Sequence, residues 1–317
     1  MKSMIKRSIH SFICAAMLAG LMVTGQAAAP ARVEKVFSET MVTLSGTVRT
    51  QLAAAAQQTL PATGTGDVFT NKYITLDRST AAQGYVRLRM DKATDKEVRV
   101  YLYKGSEYDA FILDGSKEWY TLGLTNGDGI YTVKVYEHAK DNLFFNRGEV
   151  AVEARLADAM APFKMANQKI DYTSAPNTVA KAAELTRGCN TDHQKIEAIH
   201  SFVATGIRYD YDKAAQNDST GSFRVPDLDE ILASRKGVCV DYSALMCGML
   251  RSQGIAARME YGYLAGGKYH AWVSAYDPAA GWVRFDPSTY SVGYQVNLSW
   301  VNNYIADNGN YSCTEVF

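Results

Sequence analysis

The sequence predicts an α+β protein in two folded units, a β-sandwich of immunoglobulin-like size over residues 67–160 and an α+β domain over 161–317. Three observations lead there. From Val68 to Leu156 the apolar residues recur with period two, the mark of half-buried strands. After Pro162 the pattern becomes mixed, with helical stripes bounded by capping residues and then strands. The 317 residues exceed the usual size of one domain and suffice for two modest ones.

Residues 1–29 read as a secretory signal. Lys2, Lys6 and Arg7 form a positive region, and Ile13 to Val23 is an apolar run short for a bilayer span. Cleavage is expected after Ala27 or Ala31, because a cut after Ala29 would place Pro30 beside the scissile bond. Cys14 leaves with this segment. The mature chain is therefore expected to be secreted or associated with the cell surface, with no membrane span left. Residues 30–66 read as a linker with a weak helix, since Ala53 to Ala56 precede Gln57-Gln58 and then Pro61-Ala62-Thr63-Gly64-Thr65-Gly66.

In the β-unit, Tyr85–Met90, Val98–Tyr103, Trp119–Leu122 and Tyr131–Tyr136 alternate apolar and polar residues, and Asn126-Gly127-Asp128-Gly129 supplies a turn. Roughly seven short strands in about ninety residues match a sandwich. No catalytic cluster lies among them.

In the second unit Asn177 is expected to cap a helix running to Arg187, with Gly188 ending it. Thr191 and Gln194 resemble a capping box for a helix to about Thr205, whose Ile196, Ile199, Phe202 and Val203 form one stripe. Asp227 and Glu230 start a short helix over Leu228–Ser234, and Gly237 admits a turn into the next. That helix, Cys239 to Gln253 with Gly254 closing it, carries Tyr242, Leu245, Met246, Met249 and Leu250 on one stripe.

Charge narrows the function. Lys plus Arg and Asp plus Glu number 33 each, so no net field draws the chain to nucleic acid or an anionic membrane. No metal cluster, phosphate-binding glycine loop or basic aromatic groove is present in the sequence, and neither cofactor, metal nor nucleic acid is expected.

What remains is a nucleophile and its base. Cys239 stands at a helix N-terminus, where orphan N–H groups and the positive dipole end favour a thiolate. Of the five histidines, His10 lies in the signal, His138 in the β-unit, and His193 and His200 on the second helix, leaving His270 in the strand Lys268–Tyr276. Asp277-Pro278-Ala279-Ala280 is a turn, and Gly281–Asp286 follows as a strand, so a hairpin forms. If Tyr276 pairs with Gly281, Pro287 faces His270 and Asp286 lies one residue away. Nucleophile, base and orienting carboxylate then match cysteine acyl-transfer chemistry. Cys247, two turns on, is expected in the core.

These residues carry a resemblance. Arg235-Lys236-Gly237-Val238-Cys239-Val240-Asp241-Tyr242-Ser243-Ala244-Leu245, Tyr269-His270-Ala271-Trp272-Val273 and Phe285-Asp286-Pro287-Ser288 resemble, in order and spacing, the three core motifs of the transglutaminase-like superfamily. Ile207–Asp212 and Pro226–Glu230 are also similar to bacterial secreted members. The resemblance covers about 161–317 and implies a papain-like α+β fold with Cys239, His270 and Asp286 as catalytic triad. It leaves the reaction open, since the superfamily includes transamidases, peptidases, amidases and inactive members.

Further roles are expected around this centre. The Cys239 backbone N–H would stabilise an oxyanion, with Tyr209 or Tyr211 as side-chain candidate. Trp272, Trp282 and Tyr290 are candidates to line the substrate approach. Cys189 and Cys313 are candidates for a disulfide in an oxidising compartment. The expected function is cleavage of an amide or isopeptide bond through a thioester, on a protein or peptide that includes cell-wall peptide among the candidates. Cross-linking transamidation is the alternative, and a non-enzymatic surface protein with a scaffold domain is the competing class.

Overall fold

The computed structural model describes residues 66–116, 118–220, 225–293 and 298–317. The expected signal and nearly all of the expected linker lie outside these residues.

The N-terminal part is β-rich. β1 (Val68–Thr70), β2 (Ile74–Asp77), β3 (Tyr85–Met90) and β6 (Tyr120–Gly123) form one antiparallel sheet in the order β1-β2-β3-β6. β5 (Glu107–Leu113), β4 (Val98–Lys104), β7 (Gly129–Lys140) and β8 (Leu143–Ala154) form a second, in the order β5-β4-β7-β8. Alternate residues of both sheets, including Ile74, Leu88, Val100, Leu102, Val133 and Val150, share one core.

The immunoglobulin strand order is not found. There the third strand crosses to the other sheet, whereas here β1, β2 and β3 form a meander within one sheet. The β1–β2 turn is tight because Asn71 Oδ1 accepts the N–H groups of Tyr73 and Ile74 at 2.7 and 3.0 Å. Period-two patterning fixes which face is buried, but not which neighbour a strand pairs with.

The C-terminal part wraps a helix with helices on one side and a sheet on the other. Its helices are α1 (Pro176–Leu185), α2 (Asp192–Gly206), α3 (Tyr211–Thr220), α4 (Leu228–Ser234), α5 (Cys239–Ser252), α6 (Pro287–Gly293) and α7 (Leu298–Ala306). The two-residue strands β9 (Arg208–Tyr209) and β10 (Lys236–Gly237) pair in parallel just ahead of α5. β11 (Ala257–Leu264), β12 (Tyr269–Asp277), β13 (Gly281–Phe285) and β14 (Tyr311–Val316) form an antiparallel sheet in the order β13-β12-β11-β14.

α5 lies between β12 and β11 on one side and α1, α2, α4 and α6 on the others. Its expected stripe, Tyr242, Leu245, Met246, Met249 and Leu250, is fully buried, and Cys247 is buried with it. Thr191 Oγ1 accepts from the Gln194 N–H and Asp227 Oδ1 from the Glu230 N–H, so both expected caps form. Asn177 caps nothing. Pro176 begins α1, and both the backbone and side-chain N–H groups of Asn177 donate to Asp229 on α4.

Two contacts tie the parts together. Arg251, 2% exposed, donates to the carbonyls of Ala257, Met165 and Phe317. The Phe317 ring in turn sits in the β-sheet core, edge-on to Phe111 at 5.8 Å.

Candidate active site

Cys239 is the first residue of α5, and the chain reaches it through a constrained turn. Gly237 pairs with Tyr209 in the β9–β10 bridge, and a Cβ on Gly237 would stand 2.6 Å from the Asp241 Cβ. Asp241 needs that space. Its Oδ2 accepts the Val238 N–H at 2.8 Å, closing the helix start, and pairs with Lys213 Nζ of α3 at 2.7 Å. The position of Cys239 is thus fixed by a buried carboxylate two residues on.

His270 lies on β12 opposite Gly262 of β11. A Cβ on Gly262 would meet the Ser312 carbonyl oxygen at 1.9 Å, so glycine lets β14 close against β11 beside the histidine. The expected hairpin of β12 and β13 forms with its register moved by one residue. Tyr276 faces Trp282, and the last pair is Val273 with Phe285. Asp286 therefore faces no strand residue. It stands just before α6, where its Oδ1 accepts the Thr289 N–H at 2.9 Å and the Ser288 hydroxyl at 2.9 Å. From this helix start its Oδ2 reaches His270 Nε2 at 2.8 Å, and the Tyr311 hydroxyl donates to the same oxygen at 3.0 Å.

Cys239 and His270 share a small cleft of about 50 Å³, with Tyr209, Val238, Tyr261, Tyr269 and Ala271 among its walls. His270 Nδ1 is buried and makes no hydrogen bond of ordinary geometry, while the thiol is close enough to interact with the ring. Imidazole and thiol are in near contact rather than in a closed bond.

The electrostatics follow from this placement. Burial raises the Cys239 pKa, but the charge and proximity of the His270 ring, with the Ala271 N–H, outweigh burial and leave it lowered. Burial lowers the His270 pKa, and Asp286 and Cys239 outweigh it, pushing it up to about 10. Asp286 is held well below the usual carboxylate range, His270 overcoming its burial. These shifts favour a thiolate–imidazolium pair backed by a carboxylate. Cys247, by contrast, is pushed up to about 12 by burial.

The other expected site residues are distributed unevenly. Tyr209 lines the cleft, stacked on Tyr242 with ring centroids 6.4 Å apart, whereas Tyr211 is 57% exposed and lies outside its lining. Trp272 shares the His270 face but is fully buried. Its N–H donates to Glu260, and its ring packs edge-on to Tyr311 at 5.0 Å. Trp282 packs on Phe163, Tyr276 and Arg258, and Tyr290 on His200, so neither lines the Cys239 cleft.

The proposed disulfide does not form. Cys189 and Cys313 are both free, one in the turn after α1 and one on β14 opposite Gly262. Tyr311 and Tyr261 were not singled out by the sequence, and Ser288, Tyr269 and Asp241 stood within the quoted motifs without an assigned role. Ser288 lies two residues after the aspartate, but Tyr311 is 25 residues away and belongs to no motif. No group of three or more metal-ligating side chains occurs among the described residues.

Comparison with known proteins follows the same residues. A family model described as the transglutaminase-like superfamily matches residues 179–287, the stretch from α1 to the start of α6. This region belongs to the transglutaminase-like superfamily.

Over 109 residues the chain is 34% identical to a protein-glutamine gamma-glutamyltransferase of Pseudomonas aeruginosa, covering 28% of this chain and 16% of that protein. It is 26% identical over 130 residues to the uncharacterized protein YebA of Bacillus subtilis, covering 34% and 17%. The matches thus span less than a fifth of either relative. Among solved structures, the periplasmic domain of TgpA from Pseudomonas aeruginosa aligns over 75% of this chain and 100% of its own, with 15% identity and a TM-score of 0.34. No helix among the described residues is long and apolar enough to cross a membrane.

Proposed function

We propose that the chain is an exported cysteine acyl-transfer enzyme that cleaves amide or isopeptide bonds by way of a thioester on Cys239. One observation carries this reading: a single imidazole, on His270, shares a cleft with the Cys239 thiol and stands 2.8 Å from the Asp286 carboxylate. Export rests on the N-terminal sequence. In this reading residues 161–317 form a papain-like catalytic domain, and residues 67–160 a β-sandwich module that docks the enzyme on a protein or cell-wall surface.

The Cys239 thiolate attacks the substrate carbonyl carbon, and the C–N electrons leave with the amine, which takes its proton from His270. Water then attacks the thioester as His270 accepts its proton. The C–S bond breaks, releasing a carboxylic acid and restoring the thiolate. The Cys239 N–H, in a first helical turn whose N–H groups lack intrahelical acceptors, faces the developing oxyanion, with Tyr209 as second donor. Asp286 holds the imidazole in orientation.

The name of the Pseudomonas relative supports a second reading, in which a primary amine replaces water and cross-links proteins. Mass spectrometry of candidate wall peptides and secreted proteins incubated with the enzyme tests the proposal. Loss or gain of an amide linkage, absent with Cys239→Ala, is expected. An unchanged substrate pool, together with iodoacetamide labelling of Cys239 no faster than that of an unfolded cysteine, favours the non-enzymatic scaffold instead.

A further inference from the structure

A groove of about 650 Å³ runs between β5 of the N-terminal part and β14 of the C-terminal part. Both are edge strands of their sheets. The lining includes Tyr108, Tyr263 and Tyr269, which are 50%, 46% and 37% exposed. Tyr269 also lines the Cys239 cleft, so the groove and the cleft share a wall.

The charged side chains of the lining are Glu107, Asp109 and Glu315; no lysine or arginine belongs to it. None of the three carboxylates is in an ion pair within 4.0 Å among the described residues. Asp109 is the informative one. It is 4% exposed, its Oδ2 accepts only the Thr125 hydroxyl at 3.2 Å, and its Oδ1 has no hydrogen bond among the described residues. Burying a carboxylate without a full set of partners is costly. Here burial pushes the Asp109 pKa up to about 7. Lys169 lies near Asp109 and Glu315, but its ammonium stacks over Phe317 at 4.7 Å and is outside the lining.

A buried acceptor facing a groove with carboxylates on both walls and tyrosine faces beside them suits a cation on an apolar stem. We infer that this groove holds a lysine side chain of an extended polypeptide substrate and leads the chain past Tyr269 to Cys239. The edge strands offer backbone groups for such a segment. An ammonium held by Asp109 and Glu315 stays protonated, so this lysine acts in recognition and not as the acceptor amine. The inference rests on the acyl-transfer reading for what happens at Cys239, but not for the binding itself.

The test uses the full chain with Cys239→Ala and two fluorescein-labelled peptide pools that differ only in one lysine or its uncharged isostere norleucine. By anisotropy at low salt the lysine pool is expected to bind about tenfold tighter, a difference that shrinks as salt screens it. Adding Asp109→Asn, with the melting temperature checked, should bring the two pools to within about twofold. Equal binding of the two pools, or no binding of either, overturns the inference without any reliance on the variant. A lysine preference that Asp109→Asn leaves intact in a folded chain overturns it as well. If the preference holds but no amide is ever cleaved, the groove stands and the acyl-transfer reading falls. Cleavage without lysine preference gives the reverse.

Discussion

Tyr311 and His270 meet on one atom: the Tyr311 hydroxyl donates to Asp286 Oδ2 at 3.0 Å, and His270 Nε2 lies 2.8 Å from that same oxygen. Ser288 and the Thr289 N–H hold the other oxygen. The carboxylate is thus clamped on both sides before it meets the imidazole, which gives a positioning role to a tyrosine that touches neither thiol nor cleft. Tyr311→Phe keeps the ring packing and removes one clamp. A fall in kcat of about five- to tenfold is expected with KM held, and a stability loss of about 1 kcal/mol by chemical denaturation. Loss confined to KM would assign Tyr311 to substrate binding instead.

Cys239→Ala removes the sulfur that the proposed reaction uses and little else. Alanine is the best residue for a helix, and Val238 with Asp241 still closes the helix start. The variant is expected to melt as the parent does and to show no turnover by product mass spectrometry. Asp286→Ala should keep a small residual rate, since the carboxylate orients the imidazole without forming a bond. It should also lose stability, because it starts α6 and holds buried His270. An Asp286→Ala rate within about twofold of the parent would move the orienting role elsewhere.

The paired shifts also set a pH dependence of stability. His270 is raised from 6.5 to about 10, so its contribution is fully present below pH 6.5 and is lost as pH climbs through about 10. Asp286 is lowered from 3.8, so its contribution is present above that pH and is lost as pH falls below it. The stability difference between the parent and Asp286→Asn should therefore be widest between pH 3.8 and 6.5 and narrow steadily toward pH 10. Thermal melts of both across that range check it. A difference that grows from pH 6.5 to 10 would contradict the raised His270 pKa.

The sequence made the buried stripe of the Cys239 helix legible, and also the order of the three candidate site residues. α5 could be placed because Cys239 precedes a stripe that has to face a core, and Gly254 ends it with a φ of 78°. The β12–β13 hairpin could be placed because Asp277-Pro278 is a turn. Its register could not, since Tyr276 with Gly281 and Tyr276 with Trp282 bury equally plausible faces until Gly281 adopts a φ of 78° opposite Asp277. That single residue decides whether Asp286 faces His270 across the sheet or reaches it from a helix start. Strand order in the β-rich part was hidden for a related reason, because period-two alternation is blind to partners. Tyr311 and Asp109 were hidden because long-range packing alone brings Tyr311 to Asp286 and Asp109 to the groove.

The acceptor is the remaining choice, and the cleft bears on it. A transamidase has to keep water from the thioester while admitting an amine, which calls for an enclosed aromatic approach. Trp272, expected on that approach, is fully buried against Glu260 and Tyr311, while Trp282 and Tyr290 pack elsewhere. The aromatic walls that do reach Cys239 are Tyr209, Tyr261 and Tyr269, and Tyr269 is 37% exposed at the mouth. Water thus has a route to the proposed thioester. The groove beyond Tyr269 would keep a bound lysine protonated, which removes its nucleophilic lone pair. Purified enzyme is therefore expected to release acid and free amine or ammonia from an amide substrate, with a labelled primary amine giving only minor exchange product. Parallel assays of hydrolysis and of amine incorporation into a glutamine-bearing protein measure the two rates on one preparation. Incorporation faster than hydrolysis would reverse the assignment and make the cross-linking reaction the principal one.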